Sequence, residues 1–291
     1  MGFVKEKFKI DNEKLLDFLV DTFKIDENEA KKMVNRGRVA LEGERLKHYN
    51  KIYSGMLDII YFKPQPLGIK PIFEIEDFAI FDKPSGVAIH PKNFNHSQTL
   101  LDDVRFLLGK DANLAHRLDK ETSGLVIATK NKWSEKIIKG MFENKLIQKY
   151  YLAIVEGHIT KELTINKPIV ANRDMNIKMK VLIDKSGKKS KTFIRPLKFF
   201  DNKTLVLAKP LTGRQHQIRV HLYSIGHRIV GDPLYGVDSE IADKYLKGNL
   251  DIEERIKWTG ASRLMLHSYR IKLNYFNRNY DIHSKTNLTL V

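Results

Sequence analysis

Three prolines fall within nine residues at Lys63-Pro-Gln-Pro-Leu-Gly-Ile-Lys-Pro71. Proline lacks the N–H that helices and central strands use, and it pushes the residue before it into an extended conformation. A regular element running through this segment is not expected. The chain therefore divides into residues 1–62, a linker at 63–71 and residues 72–291. Of its 291 residues, the first part makes a small module and the last is large enough for a catalytic domain.

Charge is distributed unequally between these parts. Formal net charge is +16, and residues 1–66 hold 13 Lys and Arg against 11 Asp and Glu. The rest carries nearly all of the excess, so a basic tail does not explain it. A positive field of this size points to a polyanionic partner, nucleic acid or an anionic surface. There is no cysteine, which removes disulfides, thiolate metal sites and cysteine nucleophiles. No apolar run reaches the length of a membrane span. A cytoplasmic protein without membrane attachment, and a monomer, is the plain expectation.

In the small module, residues 11–23 have helical spacing, with Asp11 as cap and Leu15, Phe18, Leu19 and Phe23 on one face. A second helix is expected from Asp26, with Glu29 in a capping-box position, Ala30, Met33 and Val34 apolar, and Gly37 at the end. Strand patterns follow at Val39–Leu41 and Leu57–Phe62, with a turn at Glu42–Gly43. Beyond the linker, strands are expected near 78–81, 125–129, 150–155, 177–181, 193–197 and 205–208. Helices are expected near 98–108, 132–142 and 214–225. That order is not a strict βαβ rhythm, which favours an α+β sheet domain over a doubly wound one.

Three segments carry groups fit for chemistry. His116-Arg117-Leu118-Asp119 precedes the apolar run Leu125–Thr129, which makes it a loop delivered by a strand, a usual place for catalysis. A polar turn with a local ion pair fits the same residues. Gly213-Arg214-Gln215-His216-Gln217-Ile218-Arg219 puts Arg214 at an expected helix start, with His216 and Arg219 on one face. That face suits a carboxylate or phosphate, or it is merely solvated. Lys149-Tyr150-Tyr151 sets Lys149 and Tyr151 on one side of a strand and Tyr150 on the other. A tyrosine beside a cation can stack on a base, or it belongs to the core. Lys178, Lys180, Lys185, Lys188, Lys189 and Lys191 form a basic run among Ile177, Met179 and Val181, and Arg36 and Arg38 flank Gly37. A zinc reading fails on spacing, since neither His216 with His221 nor His90 with His96 matches a helical ligand pair.

Six strings in order resemble the RluA-type pseudouridine synthase family. They are Lys83-Pro84-Ser85-Gly86 through His90-Pro91, His116-Arg117-Leu118-Asp119 with Thr122-Ser123-Gly124-Leu125, and Lys149-x-Tyr151-Leu152-Ala153. Thr212 to His221, Gly231-Asp232-Pro233-Leu234-Tyr235-Gly236 and Arg263-x-x-Leu266-His267 complete the set. Residues 1–62 more loosely resemble an S4 RNA-binding domain, with Glu42 where that domain usually has asparagine. The resemblance implies a pseudouridine synthase fold: α+β, a mixed, largely antiparallel sheet with flanking helices and a central cleft, beside a small N-terminal α/β S4-like domain. It also implies Asp119 as the catalytic aspartate, Tyr151 as the aromatic stacked on the target uracil, and Arg219 as the basic partner of Asp119.

The expected RNA contacts are Arg117, at the flipped nucleotide, with His116, Lys149, Arg214, Arg36 and Arg38. The expected substrate is structured RNA, large-subunit ribosomal RNA first and transfer RNA second. No cofactor or metal is needed, because breaking the C1′–N1 bond, turning the uracil and rejoining it through C5 involves no redox step. A buried carboxylate tends to take up a proton and a neighbouring arginine opposes this, which gives the Asp119–Arg219 pairing a physical reason. Tyr151 is also a candidate acceptor of the C5 proton. Two rivals remain: a non-catalytic RNA-binding protein, and an N-glycoside hydrolase of free nucleosides that would release uracil.

Overall fold

The chain begins with a strand rather than with the run-up to a helix. The structure is a computed structural model that describes residues 2–91, 98–172 and 180–288. Strand β1, Phe3–Lys14, pairs antiparallel along nearly its whole length with β4, Ile52–Phe62. Between them lie helix α1 (Leu15–Phe23), helix α2 (Glu27–Asn35) and the short strands β2 (Val39–Leu41) and β3 (Glu44–Arg45). The helix expected at 11–23 thus starts four residues late, and Asp11 lies in the strand instead of capping it. Lys14 takes the cap position without a side-chain bond. Lys5, Lys7 and Lys9 face outwards in alternation while Ile10 is buried, the two-residue period of a half-buried strand. The second helix forms as expected, with Asp26 accepting the Glu29 N–H at 2.9 Å and Ala30, Met33 and Val34 buried.

Contacts between backbone positions group residues 1–67 with 90–106, and residues 68–89 with 107–291. The first unit is a four-stranded sheet in the order β1-β4-β2-β3 with α1 and α2 on a core of Ile10, Leu15, Leu19, Val34, Leu57 and Ile59. Residues 63–70 have no regular structure. Pro71 opens β5 (Pro71–Glu74), the edge strand of the next sheet, a position where the missing N–H costs nothing.

The second unit is built on a ten-stranded sheet. After β5 come β6 (Phe78–Lys83), helix α3 (Leu100–Leu108, which begins in the first unit), β7 (Asn113–Leu114), β8 (Ser123–Thr129), α4 (Lys132–Glu143) and β9 (Gln148–Glu156). Next are β10 (Leu163–Asn166), β11 (Ile169–Ala171), β12 (Val181–Ile183), β13 (Lys191–Phe200) and β14 (Lys203–Pro210). The chain ends with α5 (Gln217–Tyr223), α6 (Ser239–Lys247), α7 (Ile252–Thr259), β15 (Leu266–Tyr275) and β16 (Arg278–His283). Strand order is β10-β13-β14-β9-β15-β8-β6-β5, with β16 on β15 and β7 on β8. Among the described residues every pairing in this sheet is antiparallel except β15 with β8. This is the mixed, largely antiparallel α+β sheet that the sequence implied.

At the parallel seam the backbones come unusually close. A Cβ on Gly124 (φ +108°) would lie 2.3 Å from the Ser268 carbonyl oxygen, so only glycine fits where the Asp119 loop enters β8. Helix α5 is shorter than expected and begins at Gln217. Arg214 stands in the turn ahead of it, not at its start, and His216 is a left-handed residue (φ +50°) outside the helix. Of the strand expected at 177–181, and of the basic run, residues 177–179 lie outside the described residues, as does His96. Among the described residues no helix is long and apolar enough to cross a membrane.

Candidate active site

The loop of residues 115–122 joins β7 to β8 and is gripped from below. Lys83, at the end of β6 and only 1% exposed, donates to the carbonyls of Pro84 (2.9 Å), Val87 (2.8 Å) and Lys120 (3.1 Å). The Gly86 N–H also donates to the Lys120 carbonyl, at 2.9 Å, and the Ser85 hydroxyl to that of Glu121, at 2.6 Å. The Lys83-Pro84-Ser85-Gly86 string thereby fixes the backbone directly after Asp119. Burial pulls the Lys83 ammonium down to about 7, yet three carbonyl acceptors use three N–H donors, which only the charged form has. Glu121 takes a 2.6 Å bond from Arg255 of α7, and Arg255 also reaches the Gly231 carbonyl at 3.0 Å. That arginine ties the Asp119 loop to the 231–236 loop.

The Asp119 side chain is 27% exposed, and Arg219 approaches it from α5 with Nη1 3.3 Å from Oδ2. Asp119 is not the first partner of this arginine. Arg219 is 2% exposed and makes a two-pronged bond to Asp232, which is 1% exposed: Nε to Oδ2 at 2.8 Å and Nη2 to Oδ1 at 2.7 Å. Such forked pairs fix orientation as well as charge. Burial alone would lower the Arg219 pKa, but the Asp232 charge and hydrogen bonds, helped by Asp119, raise it above its ordinary value. Burial likewise pushes against ionisation of Asp232, and Arg219 together with the Leu234 and Tyr235 N–H groups brings it below the usual carboxylate range. Gly231 makes this loop possible, since a Cβ there (φ +78°) would fall 1.8 Å from the Arg263 carbonyl oxygen. Asp232 is thus a positioning residue that sequence reasoning missed, although the string containing it was recognised.

His216 also turns towards Asp119, with Nε2 3.7 Å from Oδ2, while its Nδ1 lies 3.2 Å from the Tyr235 hydroxyl. Burial, reinforced by the Arg219 charge, lowers its pKa to about 4, so the ring is neutral at physiological pH and forms no ion pair. His216 and Arg219 do converge as expected, but within the protein rather than on a solvated face. Tyr151 in β9 is buried and pairs across the sheet with Ser268 and Ala208. Burial, with an addition from the Asp119 charge, raises the pKa of its hydroxyl. Lys180 was singled out only as part of a run, yet its ammonium lies 5.6 Å from the Tyr235 ring centroid.

The remaining expected contacts divide in two. Arg117 is exposed, and no ion pair holds it among the described residues; Arg214 is exposed and bonds the Lys189 carbonyl at 3.4 Å. His116 faces the other way. Its Nε2 accepts the Ile127 N–H at 3.1 Å and its ring packs on Phe142 at 4.7 Å, and burial lowers its pKa to about 3. Lys149 lies over the same Phe142 ring at 5.3 Å. These two residues support the loop from behind. In the first unit Arg36 is exposed, while Arg38 is half-buried with its guanidinium 4.6 Å from the Phe3 ring.

Comparison with known proteins gives consistent matches. The profile of the family described as RNA pseudouridylate synthase matches residues 77–224. An uncharacterised RNA pseudouridine synthase of Helicobacter pylori is 38% identical over 289 residues, covering 98% of this chain and 96% of that one. The ribosomal large subunit pseudouridine synthase C of Vibrio cholerae is 32% identical over 232 residues, 70% of each chain. Among solved structures, human RNA pseudouridylate synthase domain containing 1 superposes with a TM-score of 0.61 at 26% identity, covering 77% of this chain and 86% of that one.

Proposed function

The chain belongs to the RNA pseudouridylate synthase family and isomerises uridine in RNA, and from that premise we propose that Asp119 is the acting carboxyl group, that no cofactor takes part, and that large-subunit ribosomal RNA is the substrate. One observation carries the assignment: Arg219 is held in a fork by Asp232 and spends its remaining nitrogen, at 3.3 Å, on Asp119. A pre-set guanidinium needs no reorganisation when charge develops beside it. The preference for ribosomal RNA rests on the name of the Vibrio cholerae relative, and transfer RNA stands second.

In this reading the target uridine leaves its stack at a cost of a few kcal/mol. Arg117, exposed and without an ion pair among the described residues, occupies the gap, and Tyr151 holds the ring by stacking. Asp119 acts at the sugar or the base as nucleophile or stabiliser, the C1′–N1 bond breaks, and C1′ rejoins at C5. The C5 hydrogen leaves as a proton and N1 gains one, so the product is an isomer. Tyr151 is also a candidate to accept the C5 proton late in the reaction. Residues 1–62 act as an S4-like RNA-binding module in which Arg36 is the freer contact and Arg38 is engaged with Phe3.

Incubating the protein with large-subunit ribosomal RNA and transfer RNA transcripts, followed by carbodiimide treatment and primer extension, tests this. Stops at discrete positions of the ribosomal transcript are expected. Stops in transfer RNA alone would move the substrate, and free uracil would replace isomerisation with hydrolysis.

A further inference from the structure

We propose that the outer face of the sheet, on the side away from Tyr151, is a second RNA-binding surface that takes a single-stranded segment by stacking and phosphate contact. Consecutive strand residues point to opposite faces, so where Tyr151 turns inwards towards Asp119, Tyr150 turns out. It lines a groove of about 530 Å³. Four of the lining side chains are cations, Lys191, Arg195, Lys209 and Arg270, and none is a carboxylate. Lys191 and Arg195 are exposed and make no ion pair among the described residues. Lys209 donates to Gln148 at 3.0 Å and Arg270 is held by Asp281 of β16 at 2.6 Å, so Lys191 and Arg195 supply the charge left open to a polyanion.

The register orders these groups in a row. Phe193 of β13 is opposite Lys209 of β14. The Lys209 ammonium lies 5.1 Å from the Tyr150 ring of β9, and Tyr150 is opposite Arg270 of β15, whose guanidinium is 5.6 Å from the same ring. Aromatic and cation therefore alternate across four adjacent strands. Neighbouring strands are about 4.8 Å apart, which puts the two rings roughly 10 Å from one another with a cation between them. Rings that offer a face to any base, interleaved with charges that meet phosphates, are what sequence-tolerant single-strand binding requires. The cationic lining complements RNA, the family's substrate. The inference rests on that substrate class and not on the role of Asp119.

The test is fluorescence anisotropy of the full chain with a labelled oligoadenylate of about twelve nucleotides, which holds no uridine to enter the Asp119 site. Lys191→Glu with Arg195→Glu is expected to weaken binding at least about tenfold. Tyr150→Ala with Phe193→Ala is expected to weaken it about 5- to 150-fold for each ring that a base occupies. Tyr150→Leu with Phe193→Leu keeps the apolar bulk and removes the rings, should the alanine pair fail to fold. Binding by every variant within twofold of the unaltered chain, or no binding by that chain, overturns the proposal. So does a loss seen only with the charge reversals, which removes the stacking. An Asp119→Asn chain that turns over uridine normally while oligoadenylate still binds through these residues would refute the Asp119 assignment and leave the groove standing.

Discussion

Two charged regions of the second unit differ in how their charges are answered. At Asp119, Arg219 and Asp232, the buried charges are paired within the protein, with Arg219 and Asp232 at 2% and 1% exposure. On the outer sheet face Lys191 and Arg195, like Arg117, stand in solvent with no carboxylate partner among the described residues, while Arg270 beside them is held by Asp281 at 2.6 Å. A buried charge must be compensated on the spot or it costs several kcal/mol. An exposed one costs little and waits for a polyanion. Paired charges therefore set geometry, and unpaired ones set affinity. The predictions below probe that division.

The largest effects should come from breaking the buried fork. Arg219→Ala leaves Asp232 unpaired in the interior and is expected to lower stability by about 3–5 kcal/mol and to slow the reaction strongly. Asp232→Ala should do nearly as much, and the double variant much less than the sum. Urea unfolding measures all three, and additive losses would mean that the fork is not a unit. Next, Lys83→Met should cost about 2–4 kcal/mol, because three carbonyls lose their donors. A drop in rate larger than the unfolded fraction explains would mark displacement of the Asp119 loop.

A smaller effect concerns pH. His116 and His216 are lowered from 6.5 to about 3 and about 4. A depressed histidine binds its proton in the unfolded chain first, so stability is fully present above about 6.5 and falls as pH drops towards the folded values. Each contributes about 1.4 kcal/mol per pH unit in that window. His116→Gln should remove about one proton from the slope of unfolding free energy between pH 6.5 and 5; a slope unchanged by the substitution would contradict its burial as a neutral ring. The smallest change is Arg117→Ala. Stability should stay within about 0.5 kcal/mol, while the salt dependence of RNA binding loses about one unit of slope. An equal loss of stability would put Arg117 among the paired charges.

The pairing of Asp119 with Arg219, at 3.3 Å, is legible because each residue sits in a local string. Their other partners are not. The fork to Asp232 depends on the path of a loop that Gly231 alone permits, and the Arg255 bond to Glu121 joins positions 134 residues apart; no local period encodes either. The spacing of Leu15, Phe18 and Leu19 is helical but does not mark where the helix begins, and β1 runs on past Asp11 to Lys14. The alternation of Lys5, Lys7 and Lys9 with Val4, Phe8 and Ile10 was available and marks the strand. The spacing predicts a start for α5 at Arg214 but does not reveal that His216 adopts a left-handed backbone. Tyr150 was seen to face away from Tyr151, but the cations around it come from three other strands.

The most direct measurement is tritium release from RNA carrying 5-tritiated uridine, with Asp119→Asn beside the unaltered chain. Turnover is expected to fall by roughly 10⁴-fold or more, with RNA affinity kept within a few-fold, since the amide preserves shape and removes the charge that Arg219 faces. Release at the normal rate by the asparagine variant would show that a different group attacks the nucleotide.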